Sequence, residues 1–175
     1  IEFDLIDIDA YRYTDDEVKK LLEEKDYDVV GIGTLISHYK QVKRISRWIR
    51  QVNPNVKIIV GNTLGTSIPK MVLKNMDVDI CVIGEGELTF LELLSAIENK
   101  TDLKDVNGIA YTENGKVITT PQRQLIENID EIPFPNYDVF NMPIYIESSK
   151  HLVSSPDNIP IPFDDLIAFP LNTAR

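Results

Sequence analysis

The sequence predicts an α/β fold, and three observations carry that expectation. Short runs rich in β-branched residues recur about every 25 residues, at residues 27–32, 56–60 and 78–83. Each runs into a loop of glycine and small polar residues, and a stretch with helical periodicity lies between each run and the next. Alternation of this kind predicts a parallel sheet with right-handed crossovers and helices on both faces, a flavodoxin-like or Rossmann-like arrangement. From Thr101 the texture changes, so a small β-hairpin extension and a proline-rich strap are expected to follow the α/β part.

Taken in order, residues 1–9 alternate through Ile1, Phe3 and Leu5 to Ile6 and Ile8, and predict a strand ending at Asp7 and Asp9. Thr14-Asp15-Asp16-Glu17 is a capping box with acids in the first turn, opening a helix striped by Val18, Leu21 and Leu22. The second strand, residues 27–32, leads into the loop Gly33-Thr34-Leu35-Ile36-Ser37-His38-Tyr39. The next helix puts Val42, Ile45, Ile49 and Val52 on one face and Lys40, Lys43, Arg44, Arg47 and Arg50 on the rest, until Asn53-Pro54 stops it. Those cations read as a solvated outer face, and Trp48 as packing.

The third strand, residues 56–60, is followed by a second small-residue loop, residues 61–67. Pro69 then suits the first turn of a helix whose Met71, Val72 and Met76 face the core. Residues 78–83 form the next strand. Gly84 and Gly86 turn the chain, and a helix follows with Phe90, Leu91, Leu94 and Ile97 on one face. Beyond it, Asn114-Gly115 between two strand-like runs is a hairpin signal that leaves the α/β core. Most of the ten prolines fall from Pro121 onward, as expected of an extended strap, with strand character returning near residues 163–171. The domain plan is therefore residues 1–100 for the α/β domain, 101–130 for the hairpin extension, and 131–175 for a linker toward a further domain.

The 175 residues carry a formal charge of −10, which argues against non-specific binding to nucleic acid or to an anionic membrane, since phosphate is repelled at long range. No apolar run reaches the roughly 18–20 residues of a membrane span, and no charged-then-apolar leader opens the chain, so it reads as cytoplasmic. The single cysteine, Cys81, lies inside a strand and reads as a packed thiol, which leaves little scope for metal chemistry. The opening at Ile1, directly in a strand, points to a piece of a longer protein. Without a preceding strand the sheet has an exposed edge, so a homodimer paired along it is expected.

Chemistry narrows to the glycine loops. None completes the G-x-G-x-x-G spacing, and Glu85 and Glu87 stand where a pyrophosphate would meet a helix amino terminus, which disfavours a nucleotide-binding Rossmann enzyme. The acids do not fall where a phosphoacceptor domain needs them. His38 and His151 are the only histidines, and of the two only His38 stands in a loop at the ligand-binding edge of the sheet. Three loops rich in Gly, Thr, Ser and Asn instead suit a large, flat, weakly charged ligand approached through backbone and hydroxyl groups.

Three stretches carry a family resemblance: Val29-Val30-Gly31-Ile32-Gly33-Thr34-Leu35; Lys57-Ile58-Ile59-Val60-Gly61-Asn62; and Asp79-Ile80-Cys81-Val82-Ile83-Gly84-Glu85-Gly86-Glu87-Leu88-Thr89-Phe90-Leu91-Glu92-Leu93-Leu94. With Gly108-Ile109-Ala110-Tyr111 and Ile129-Asp130-Glu131-Ile132-Pro133-Phe134-Pro135, the chain resembles the cobalamin-binding domain of B12-dependent radical SAM proteins, a family that includes methyltransferases and the anaerobic oxidative cyclase of magnesium-protoporphyrin monomethyl ester. The resemblance implies a module that presents cobalamin to a radical SAM barrel of the same parent chain, where the 4Fe-4S cluster and SAM would lie, so this piece is not itself catalytic. It also implies cobalamin contacts from Gly33, Thr34, Leu35, Ser37, His38 and Tyr39, from Gly61, Asn62, Thr63 and Gly65, and from Gly84, Glu85 and Gly86. The Asp-x-His-x-x-Gly motif that supplies a lower axial histidine in other B12 modules is absent, the Ser-x-Leu motif of those modules reads Gly33-Thr34-Leu35, and their Gly-Gly pair reads Gly61-Asn62. A cofactor-free docking domain is the alternative.

Overall fold

The structure, a computed structural model, describes residues 2–150. They divide into two compact units, residues 19–132, and residues 2–18 together with 133–150. His151 and the strand expected near residues 163–171 lie outside the described residues. Helix α1 (Asp15–Glu23) runs across the division, started by the expected capping box: Glu17 accepts from the Thr14 N–H at 2.8 Å and hydroxyl at 2.7 Å. Those two bonds, the backbone one first, lower the Glu17 pKa.

In the larger unit, β1 (Val29–Gly33), β2 (Lys57–Gly61), β3 (Ile80–Val82), β4 (Ile109–Glu113) and β5 (Lys116–Thr119) form one sheet in sequential order. The first three strands are parallel; Val60 lies beside both Ile32 and Cys81. The last two run antiparallel, with Ala110 beside Cys81 and Thr119. The expected hairpin therefore exists, but it extends the sheet from β3 rather than leaving the core. Its turn carries Asn114 at φ 49° and Gly115 at φ 74°, the double left-handed geometry that matches strand twist.

Alternation along the central strands fills both faces. One face buries Ile59, Ile80, Val82, Ile109 and Tyr111 against Leu93 and Ala96 of α5 (Glu87–Asn99). On the other, Cys81 meets the helical segment that starts at Pro69, its thiol 3.9 Å from the Pro69 carbonyl, and Ile58 and Val60 are fully buried. The remaining helices are α2 (Tyr39–Val52), α3 (Asn62–Ser67) and α4 (Pro69–Asn75). Val42, Ile45 and Ile49 of α2 are buried as expected; of its cations Lys40, Arg44 and Arg47 are exposed, and Lys43 and Arg50 half-buried. Arg50 donates from Nη2 to Asp79 at 2.6 Å and from Nη1 to the Pro54 and Val56 carbonyls, while Asp79 also accepts from the Ile58 N–H at 2.8 Å. This knot closes the amino ends of β2 and β3. Trp48 is half-buried, with the Lys19 ammonium 4.8 Å and the Arg44 guanidinium 5.2 Å from its ring centre.

Several expectations fail for local reasons. Residues 2–7 form no strand: Asp7 instead turns the chain by accepting from the Ala10 N–H at 2.9 Å, an Asx turn that competes with a strand ladder. The loop expected after β2 is helix α3, because Leu64 plugs into the core and holds one tight turn against the sheet. Leu91 of α5 is exposed; the buried stripe is Thr89, Leu93 and Ala96, whose small members let the helix approach closely. Met71 and Val52 are also exposed. In the smaller unit the proline-rich stretch contains α6 (Met142–Lys150), with Pro143 in the first turn, where a missing N–H costs nothing. Tyr145 of this helix donates its hydroxyl to Asp7 at 2.9 Å, and burial together with that bond pushes its pKa up to about 12.

Candidate functional site

The carboxyl ends of the three parallel strands form the one edge of the sheet floored by glycine. Gly33 ends β1, Gly61 ends β2 directly beside it, and Gly84 follows β3. A Cβ built at Gly33 or Gly84 would meet nothing within 4 Å, and one at Gly61 or Gly86 would only graze the Val82 side chain, at 4.0 and 3.8 Å. Gly84 sits at φ +79°, a conformation that tolerates a side chain poorly. The floor is therefore bare backbone open to a ligand.

Short-range polar contacts stitch the three loops into one rim. Within the first, residues 36–38 form a 3-10 turn, and Thr34 Oγ1 lies 3.2 Å from His38 Nδ1. Thr63 of the second loop accepts from the Ile36 N–H of the first at 3.0 Å, and Leu64 N–H donates to the Thr34 carbonyl. Thr66, at the end of the same loop, accepts from the Gly84 N–H at 3.1 Å, which ties in the third. Leu35, Ile36 and Ser37 are exposed on this rim, and His38 and Tyr39 half-buried. Asn62, the first residue of α3, adopts φ 56°, and its side-chain oxygen accepts from the Thr63 N–H at 2.6 Å.

Two of the expected contacts sit differently. Gly65 is buried, and its missing side chain lets α3 settle on the sheet: a Cβ there would lie 2.5 Å from the Val60 carbonyl oxygen and 3.0 Å from that of Val82. Glu85 turns its carboxylate to the Ile126 N–H, at 2.8 Å. Thr66 was not among the expected contacts, although its place in the small-residue loop marked it; Arg123, which bonds to Thr89 from 34 residues away, gave no local signal at all.

Nothing here resembles a hydrolytic centre. Among the described residues no three His, Cys, Asp or Glu side chains come together to hold a metal ion. Burial pushes the Cys81 thiol up to about 12, so it is a packed group and not a nucleophile. What the rim offers is backbone amides, hydroxyls, one imidazole and a few apolar side chains around an open glycine floor. That donor set fits a broad, weakly charged ring of the corrin type, met by backbone and hydroxyl groups.

Comparison with known proteins decides the family. Residues 1–94, more than half of the chain, match the B12 binding domain family. The chain belongs to that family. This B12 binding domain is 37% identical over 142 residues to an uncharacterized methyltransferase of Pyrococcus horikoshii, the match covering 81% of this chain and 31% of the relative. It is 31% identical over 150 residues to the anaerobic magnesium-protoporphyrin IX monomethyl ester cyclase of Rubrivivax gelatinosus, covering 82% and 27%. The chain thus spans about a third or less of these relatives' length. Its fold matches the radical S-adenosylmethionine methyltransferase TsrM of Kitasatospora setae, solved with cobalamin and a [4Fe-4S] cluster, with TM-score 0.60, 18% identity and coverage of 73% and 24%. It equally matches the cobalamin-dependent radical enzyme OxsB with aqua-cobalamin bound, with TM-score 0.60, 24% identity and coverage of 69% and 17%. The flavodoxin-like or Rossmann-like class read from the sequence is thereby borne out, with two antiparallel strands completing the sheet. No helix of the described residues is long and apolar enough to cross a membrane.

Proposed function

We propose that this B12 binding domain holds cobalamin on its glycine rim and presents it to a radical SAM barrel elsewhere in a longer chain, for methyl transfer or an oxidative cyclisation. The rim itself carries this reading: glycines at or just past the ends of three parallel strands, with open space at Gly33 and Gly84, laced by Thr34, Thr63 and Thr66. Gly33, Gly61, Gly84 and Gly86 would form the floor. Thr34, Leu35, Ser37, His38 and Tyr39 would meet one side of the ligand, and Asn62 and Thr63 another. Bound cobalamin would supply a cobalt centre able to carry a methyl group. The chain's own part is to bind and orient it, and the cluster and SAM would be held by the barrel.

The domain so read works in the cytoplasm and needs neither nucleic acid nor membrane. Strand β1 pairs with β2 on one side, and among the described residues no strand pairs with its other edge, which favours a homodimer paired there as a second association. The test of the main reading is titration of the purified 175-residue chain with hydroxocobalamin, followed by the visible spectrum after desalting. Retained, shifted absorbance supports a cofactor module. Complete loss on desalting, with no shift during the titration, favours the cofactor-free docking domain.

A further inference from the structure

The third loop of the rim does not stand alone. The stretch after β5 runs back past the start of β4 to the start of α5 and is held by three of its residues. Pro121 accepts from the Gly108 N–H at 2.8 Å. Arg123 donates from Nε to the Thr89 hydroxyl at 2.8 Å and from Nη2 to Glu92, and Ile126 donates its N–H to Glu85 at 2.8 Å. Thr89 is fully buried, and its hydroxyl also donates to the Glu85 carbonyl at 3.3 Å, so Arg123 reaches the turn through Thr89 as well. Gly108 leaves room for this packing: at φ +80°, a Cβ there would press within 3.4 Å of Thr89, Ile83 and Arg123.

We propose that residues 121–126 are a latch that sets the Gly84-Glu85-Gly86 turn, with Glu85 a positioning residue for the rim rather than a contact to the ligand. This rests on the reading of the rim as a cobalamin site. Glu85 lies between two glycines, one in the left-handed region with open space around it, so the turn has wide conformational freedom unless something fixes its middle. The carboxylate–amide bond fixes it, and a charge-assisted bond of this kind is among the stronger ones available. A turn ordered before the ligand arrives removes an entropy cost from binding. By linkage, a ligand that needs the ordered turn must in return strengthen the latch.

The test compares the wild-type chain with Glu85→Ala, Glu85→Gln and Arg123→Ala, measuring hydroxocobalamin affinity and hydrogen–deuterium exchange over residues 121–128. The latch predicts that E85A binds about tenfold more weakly, as expected for loss of roughly one such bond. It predicts that E85Q, whose amide oxygen still accepts from Ile126, recovers most of the affinity, and that R123A behaves like E85A. It also predicts that cobalamin slows exchange of the Ile126 amide in wild type and much less in E85A. Equal weakening of E85A and E85Q would make Glu85 a direct or charge-based ligand contact and overturn the latch. Wild-type affinity in every variant, with strap exchange indifferent to cobalamin, would overturn it too. A wild-type chain that takes up no cobalamin sinks the cofactor reading and the latch with it. That failure is distinguishable, because it appears before any variant is made.

Discussion

Replacing Gly65 by alanine tests the packing that seats the second rim loop on the sheet. The new Cβ would lie 2.5 Å from the Val60 carbonyl oxygen, 3.0 Å from that of Val82 and 3.1 Å from the Val60 carbonyl carbon. All three atoms are backbone, two on Val60 in the middle of the sheet, so α3 must withdraw by at least about 0.5 Å to reach even the closest approach that Cβ atoms tolerate. Overpacking against groups that cannot yield costs about 3 kcal/mol, the upper part of the usual range. The lower backbone entropy of alanine in a helix offsets about 1 kcal/mol, leaving a net loss of about 2 kcal/mol. With a urea dependence of about 1.5 kcal/mol per molar, the unfolding midpoint should fall by about 1.3 M. Trp48 is the single tryptophan and lies in the unit that contains α3, so its fluorescence follows the right transition. A midpoint equal to or above that of wild type would refute the close approach, because the helix-propensity gain would then be acting unopposed.

Other substitutions separate stability from binding. Gly33→Ala places a methyl group in open space, so the urea midpoint should stay within about 0.3 M of wild type while hydroxocobalamin affinity falls about threefold or more; unchanged affinity would remove Gly33 from the floor. Asp79→Ala removes the acceptor of both Arg50 Nη2 and the Ile58 N–H at the opposite end of the sheet, leaving Arg50 only its carbonyl partners, and should cost about 2–3 kcal/mol in urea unfolding without shifting the cobalamin spectrum. For Cys81, burial raises the folded-state pKa from the ordinary 9.0 to about 12. Its contribution to stability is therefore fully present below about pH 9 and is lost as the pH rises toward about 12, with a slope near 1.4 kcal/mol per pH unit between them. Urea unfolding at pH 8 and pH 10 should show an extra loss in wild type that Cys81→Ala lacks; equal losses would place the thiol in contact with water.

Legibility in the sequence follows the range of the interaction that decides each feature. The capping box at Thr14 and Glu17, the proline at the start of α4 and the Asn114-Gly115 turn are local signals, and each appears where expected. The three strands before glycine were equally plain, because a buried parallel strand reads as an unbroken apolar run. What failed depended on choices that short windows do not contain. Apolar residues of α5 fall on every side of the helix, interleaved with polar ones, so periodicity could not select Thr89, Leu93 and Ala96 over Leu91. The attachment of the hairpin to β3 is a tertiary pairing, and so are the bonds that carry Arg123 and Ile126 back to Thr89 and Glu85. Of the candidate site, the glycines and small hydroxyl residues were visible as loop composition. Their lacing through Thr63 and Thr66, and the burial of Gly65, were not.

The most direct measurement of the central claim is amide chemical-shift mapping of the 15N-labelled chain with and without hydroxocobalamin. Cofactor binding on the glycine rim predicts shifts concentrated at residues 33–39, 61–63 and 84–86, with smaller ones along residues 121–126 and none around the Arg50–Asp79 knot. Shifts confined to the basic face of α2 or to α6, or no shifts at saturating cobalamin, would contradict it.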